Sequence, residues 1–205
     1  MTSFAKTDKT SSDKVSSDMT SFDISAIILG DLAVSTKGAK SVPLSFLGGK
    51  GIYLHASALT PLFEPSAFND PAATRVNLCL STNDTVETTL SQIDAQLVSL
   101  LAPVSQKMFG TPLSEAQVRE RMQPSIRRSD KGYTSWRMKM NVRGRSGVQI
   151  YDIDKRQTSP PDTWVGSEVS VRVLVRSIWL MNKEWGVLYE VQAIQIEPCS
   201  LVCPF

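Results

Sequence analysis

Between Trp136 and Arg143 the side chains alternate strictly in character. Trp136, Met138, Met140 and Val142 fall on one parity, and Arg137, Lys139, Asn141 and Arg143 on the other. On a helix these residues would scatter around the cylinder. Only an extended strand, whose successive side chains point to opposite faces, sorts them into an apolar face and a basic one. A chain organised around such a segment carries a sheet with one side on a core and a cationic side in water.

The same period recurs downstream. Val169, Val171, Val173 and Val175 oppose Ser170, Arg172 and Arg176, with Leu174 interrupting, which predicts a long half-buried strand over 168–179. Met181 to Glu184 makes a turn, and 187–196 returns as a strand whose alternation slips near Ala193, as at a bulge. Gly144 to Gly147 reads as a turn that brings 148–153 back as the partner of the 136–143 strand. Residues 25–34 and 41–47 read as a first strand pair and 75–80 as a buried strand. The stretch around Gly51 to Ser57 reads as loop-like, and 56–73, with Pro61, Pro65 and Pro71, as irregular connection.

Helical spacing is confined to the middle of the chain. Asp84 is placed as an N-cap with Glu87 three residues on, and Leu90, Ile93, Leu97, Leu100, Leu101, Val104 and Met108 follow, with a kink expected at Pro103. Ser114 and Gln117 form a capping-box pair for a second helix through Val118 and Met122 that Pro124 stops. The predicted class is mostly β (α+β), an OB-like β-barrel with a helical insert at about 85–123. One domain over 24–198 is expected, between a disordered tail at 1–23, rich in Ser, Thr, Asp and Lys, and a C-terminal tail at 199–205.

A formal net charge of only +2 over 205 residues excludes a uniformly basic binder, so any polyanion site must come from local clustering. That cluster is evident. Arg127, Arg128, Lys131, Arg137, Lys139, Arg143 and Arg145 stand against the single acid Asp130, with Tyr133 and Trp136 interleaved. Single-strand binding needs cations along the phosphates and flat side chains on which bases stack. Arg172 and Arg176, sharing one side of a strand, join this candidate face. Trp179 and Trp185 flank a turn, where aromatics clamp a base or cap a barrel. Trp185, beside the polar residues Asn182, Lys183 and Glu184, is placed as the accessible one, and Trp179 with the buried valines. Trp136 shares parity with the methionines and favours the core, while Tyr151 and Trp164 stay open between core and ligand.

Catalytic constellations are weak. His55 is the sole histidine and has no partner at motif spacing; Asp152 and Asp154, with Asp162 beyond, are followed at once by Lys155 and Arg156; Gly48 to Gly51 lacks the elements of a phosphate loop. A non-enzymatic protein without metal or cofactor is expected. Cys79, Cys199 and Cys203 do not make a zinc set, and reduced thiols with no signal-peptide core predict an intracellular protein outside membranes. A disulfide between the last two cysteines is the alternative in an oxidising compartment.

From Gln92 to Ile196 the chain resembles the single-stranded DNA-binding proteins of phages and large eukaryotic DNA viruses. The resemblance rests on Met108-Phe109-Gly110 before Leu113-Ser114-Glu115, Pro124 with Arg127-Arg128, Gly132-Tyr133 leading to Arg137-Met138-Lys139, and Val148 to Asp152. It is completed by Gly166 into a Val-rich strand ending Ile178-Trp179, then Trp185-Gly186-Val187 and Val191 to Ile196. It implies an OB-fold that coats replication and recombination intermediates, with DNA rather than RNA as the ligand. Such phage proteins commonly end in an acidic tail that recruits replication enzymes. Residues 197–205 hold a single acid, Glu197, and make no acidic tail, so that partner mechanism is not carried over. The competing expectation is a structural or interaction protein, such as a virion component or scaffold, whose β core associates with copies of itself.

Overall fold

The computed structural model describes residues 23–67, 70, 72–144 and 147–197. The expected tails, apart from Asp23, and the candidate cation Arg145 lie outside the described residues. After a 3-10 turn at Ile24–Ala26 come β1 (Ile27–Leu29), β2 (Ala33–Val34), β3 (Lys40–Phe46), β4 (Ile52–Leu59) and β5 (Arg75–Ser81). Three helices follow, α1 (Asp84–Leu101), α2 (Ser105–Phe109) and α3 (Glu115–Glu120). The chain then returns to strands with β6 (Met122–Gln123), β7 (Ile126–Arg128), β8 (Thr134–Asn141), β9 (Gln149–Tyr151), β10 (Glu168–Met181) and β11 (Glu184–Glu197).

The long hairpin β10–β11 is the spine. Asn182 and Lys183 both take positive φ, 51° and 69°, at its two-residue turn, the geometry whose twist matches the flanking strands. Against the other edge of β10, β4 covers the first half and β3 the second, both antiparallel. Against the other edge of β11 lie β6, β8 and β9, all parallel, and β5 and β7 pair antiparallel with β8. The sheet curls into a half-barrel, and the architecture is the mostly β, OB-like α+β class expected from the sequence.

The interior follows from strand parity. Ile52, Leu54 and Leu59 on β4, Leu78 and Leu80 on β5, Trp136 on β8, and Val169, Val173 and Val175 on β10 are fully buried. Helix α1 closes the core with Val86, Leu90, Ile93, Leu97, Val98 and Leu101, the stripe that helical spacing predicts.

Several expectations need correction. The 51–57 stretch is strand β4, because Ile52, Leu54 and Ala56 alternate into the core and outweigh the glycines before them. The segment after the 144–147 turn does not form a hairpin with β8; β9 pairs with β11 instead, extending the line that β8 begins. The first helix is capped by Asn83, whose side chain accepts from the Val86 amide, and Asp84 is the first helical residue. That helix stops near Pro103 and a separate turn of helix, α2, follows. The capping box of Ser114 and Gln117 is present, but α3 ends at Glu120 and Met122 joins the sheet. The slip near Ala193 is a bulge: Arg172 pairs with Ala193 and Val173 with Val191, leaving Gln192 over.

Candidate nucleic-acid interface

Cross-strand partners share a face, so the register maps the outer surface of the half-barrel. Tyr53, Leu174, Glu190, Lys139 and Asn77 form one row across β4, β10, β11, β8 and β5. Ser41, Trp179, Gly186 and Gln123 form another towards the hairpin turn. On β11, residues 186, 188 and 190 share parity, which puts Trp179 and Lys139 on the same side.

Between these rows runs a groove. Its first part, a cleft of about 380 Å³, is lined by Arg127, Arg137, Lys139 and Trp179 with Met181 and Leu188. Its second part, about 740 Å³, shares Lys139, Trp179, Met181 and Leu188 and adds Lys37, Lys40 and Lys183. Six cations therefore line one continuous channel, and Glu184 is the carboxylate among its lining residues. Trp179 sits at the junction of the two parts, half-buried.

Lys139 is the best-anchored cation. Its Nζ donates to Asn77 Oδ1 at 2.7 Å, and burial, followed by the neighbouring charges of Arg137 and Arg75, holds its pKa below that of an ordinary lysine. A cation crowded by like charges gains from an incoming anion, which relieves the repulsion and makes up for the missing solvation. Beside it, Glu190 is almost completely buried and is held by Arg75 and Arg176, both at 3.1 Å. Two partly exposed arginines thus enclose one carboxylate, and with Lys139 beside them the cluster is net positive.

The two tryptophans of the hairpin reverse their expected roles. Trp185 is fully buried; its Nε1 donates to the Val118 carbonyl at 2.8 Å and its backbone amide to the Arg121 carbonyl at 3.0 Å, so it fastens α3 to the sheet. A second bulge causes the exchange. Arg176 has no partner in β11 between Val175 and Ser177, so strand parity shifts by one and Ile178 and Leu180 turn inward in place of Trp179. Counting from the valines puts Trp179 on the wrong side.

The remaining candidates separate. Arg127 and Arg137 join Lys139 in the groove. Arg128 lies 3.8 Å from Glu87, a carboxylate that also accepts from Thr82 and Thr134 and is thereby held below the ordinary glutamate range. Lys131 and Tyr133 occupy the exposed 129–133 turn, and Arg143 lies exposed past the end of β8. Arg172 stacks over the Tyr53 ring at 4.3 Å on the same outer face but nearer the far end of the hairpin. Trp136 and Trp164 are core; Trp136 meets Tyr189 edge to face at 5.2 Å. Lys37, Lys40 and Lys183 were not visible as site residues, because nothing local shows that the 35–38 and 181–184 turns meet.

Beneath the groove lies a buried polar link. Asp94 of α1 accepts from the Ser125 amide at 2.9 Å and its hydroxyl at 2.6 Å, and Ser125 shares a 2.8 Å hydrogen bond with Tyr189. Burial raises the Asp94 pKa against the lowering effect of these bonds, and raises that of Tyr189. Ser125 and Tyr189 also line the groove, so this link fixes its base to the helical layer.

Among the described residues, no helix is long and apolar enough to cross a membrane, and no group of three His, Cys, Asp or Glu side chains is placed to hold a metal ion.

No family model matches the chain, and no curated protein matches it in sequence. Among solved structures it is similar to gp2.5, a single-stranded DNA-binding protein encoded by bacteriophage T7. The TM-score is 0.48 at 12% identity, over 73% of this chain and 88% of that one. It is also similar to a C-terminally truncated single-stranded DNA-binding protein from bacteriophage Enc34, with a TM-score of 0.44 at 12% identity over 83% and 95% of the two chains. These structures are of the kind that the sequence resembles. What this chain binds is read from its own surface.

Proposed function

We propose that this protein binds single-stranded DNA, without catalysis, along the groove centred on Trp179. The observation that carries the reading is the single channel in which Lys37, Lys40, Arg127, Arg137, Lys139 and Lys183 surround a half-exposed indole. Cations spaced along a groove hold a sugar-phosphate chain, and an aromatic between them gives an unpaired base a surface on which to stack. A duplex keeps its bases stacked inside and offers no such face to Trp179. A coating role in replication or recombination, in an intracellular setting, fits a site built on cations for phosphates and an indole for stacking.

The test is fluorescence anisotropy of labelled oligo-dT, oligo-rU and duplex DNA at two salt concentrations. Oligo-dT should bind more tightly than duplex, with affinity falling as salt rises because bound phosphates release their counterions. Equal or salt-insensitive binding of all three would remove the proposal and favour a structural role for the β core.

A further inference from the structure

Past the Glu190 row, the outer face has a second hollow. The next cross-strand row is His55, Arg172, Ala193 and Gln149, followed by Ser170, Gln195 and Tyr151. The small side chains of Ala193 and Ser170 leave a pocket of about 480 Å³ lined also by His55, Tyr151, Lys155 and Arg172. Three features suit it to an unstacked nucleotide. First, the Arg172 guanidinium lies 4.3 Å over the Tyr53 ring, a flat platform already assembled, and no carboxylate within ion-pair distance of Arg172 is found among the described residues. Secondly, Lys155 is fixed in a left-handed conformation, φ 62°, by a tight turn in which the Asp152 amide bonds the Arg156 carbonyl and the Asp152 side chain accepts from the Arg156 amide. The hydrogen-bonded turn thus holds Lys155 in the lining of the pocket. Thirdly, partial burial, then the nearby Arg172, lowers the His55 pKa, which favours the uncharged imidazole, a ring able to stack on or hydrogen-bond a base.

We infer that this pocket takes a nucleotide of the same strand that lies in the Trp179 groove, its base on the Arg172–Tyr53 platform and its phosphate at Lys155, an inference that rests on the single-strand reading of the groove. Continuity favours this occupant: the intervening Glu190 is enclosed by Arg75 and Arg176, so a polyanion crossing from Lys139 to Arg172 meets no free carboxylate on that row.

The test pairs length dependence with cross-linking. Oligo-dT of increasing length, each with one 5-iododeoxyuridine placed in turn along the strand, is titrated and then irradiated, and the adducts are mapped by mass spectrometry. Adducts are expected at Trp179 and, from a different position of the same long oligomer, at Tyr53 or Tyr151. Arg172→Gln should weaken long oligomers about tenfold and leave the shortest ones that bind unchanged, and Lys155→Asn, which tolerates the left-handed backbone, should act in the same direction. Adducts at Trp179 alone, with both variants binding every length normally, would overturn the second pocket and leave the groove intact. Thymidine monophosphate saturating the pocket equally well in a Trp179→Ala protein, with no length effect in either variant, would mean a free-nucleotide site and also overturn it. No adduct and no binding at all would instead refute the single-strand reading itself.

Discussion

Trp179 on β10 lies across Gly186, its partner on β11, so closely that a β-carbon on Gly186 would stand 2.7 Å from the indole Cζ2 and 3.0 Å from its Nε1. Glycine here makes room for the ring, which rests on bare backbone and lines the groove.

Gly186→Ala should therefore displace the indole without removing a charge or an aromatic. The expected cost is about 1–3 kcal/mol of stability, as for other overpacked sites, with reduced quenching of tryptophan fluorescence by oligo-dT. Trp179→Ala should lower single-strand affinity by roughly 1–3 kcal/mol, the worth of one base stack. Normal affinity and unchanged quenching in both variants would show that no base stacks on this ring.

Trp185→Ala should behave oppositely. A fully buried indole that also satisfies the Val118 carbonyl is a support of the core, and its truncation should cost about 3–5 kcal/mol. Chemical denaturation reads the loss, and below the unfolding transition oligo-dT affinity should stay close to that of the parent. A stable variant with weakened binding would restore the exposed role that the polar turn residues suggest.

The contrast between these tryptophans shows where strand parity stops being informative. Period two placed Trp136, Met138 and Met140 inside and Arg137 and Lys139 outside, because nothing interrupts β8 there. It also revealed the slip near Ala193. It failed beyond Arg176, where one unpaired residue inverts every later assignment, and the sequence around Arg176 has no glycine or proline to betray the bulge. The helical face and the capping box were local signals and were readable. The parallel pairing of β8 and β9 with β11 is non-local: the 144–147 turn suggests a hairpin, and only the assembled sheet shows that β11 offers a longer edge. For the same reason half the groove's cations, on the 35–40 segment and at Lys183, were invisible from their own neighbourhoods.

Arg127, Arg137 and Lys139 line the groove, whereas Arg143 lies past the end of its strand. Replacing the first three by Ser should flatten the dependence of log affinity on log salt by roughly 0.7 for each phosphate that is no longer neutralised, while Arg143→Ser should change it little. Salt titrations of the two folded variants decide the matter, and equal slopes would place the phosphates elsewhere.

Asp94 gives a pH signature of the helix-to-sheet link. Its carboxyl titrates higher in the folded protein than an ordinary aspartate, chiefly because it is buried, so between the unfolded and folded values the folded state binds more protons than the unfolded one. Its contribution to stability is thus present below the unfolded pKa and is lost as pH rises through the folded one. Glu64 and Glu87 are shifted downward and contribute in the opposite sense, losing their stabilisation as pH falls through their folded values. The Asp94 part is therefore isolated by comparing denaturant midpoints of the parent and Asp94→Asn from acid to neutral pH. The difference between them should shift with pH across the Asp94 window and become flat above it; a constant difference at every pH would mean that Asp94 does not titrate as its burial requires.

Lys139 should make binding itself sensitive to alkaline pH. In the free protein its pKa is lowered by burial and by Arg137 and Arg75, and a phosphate placed against its Nζ would stabilise the ammonium and raise that pKa again. Binding then takes up a proton wherever the free lysine has begun to lose one. Affinity should fall as pH rises through the free protein's lowered value, before an ordinary lysine would titrate. Lys139→Arg keeps the charge at every pH in that range, since a guanidinium does not deprotonate there, so it should remove this early part of the decline while preserving the salt slope measured at neutral pH. The hydrogen bond to Asn77 supplies a second variant: Asn77→Ala removes the acceptor that steadies the ammonium, so the decline should begin at lower pH than in the parent. Anisotropy titrations with oligo-dT from neutral to alkaline pH, at fixed ionic strength, measure all three proteins. If the parent and Lys139→Arg lose affinity together, the titrating group is elsewhere and Lys139 does not touch the phosphates.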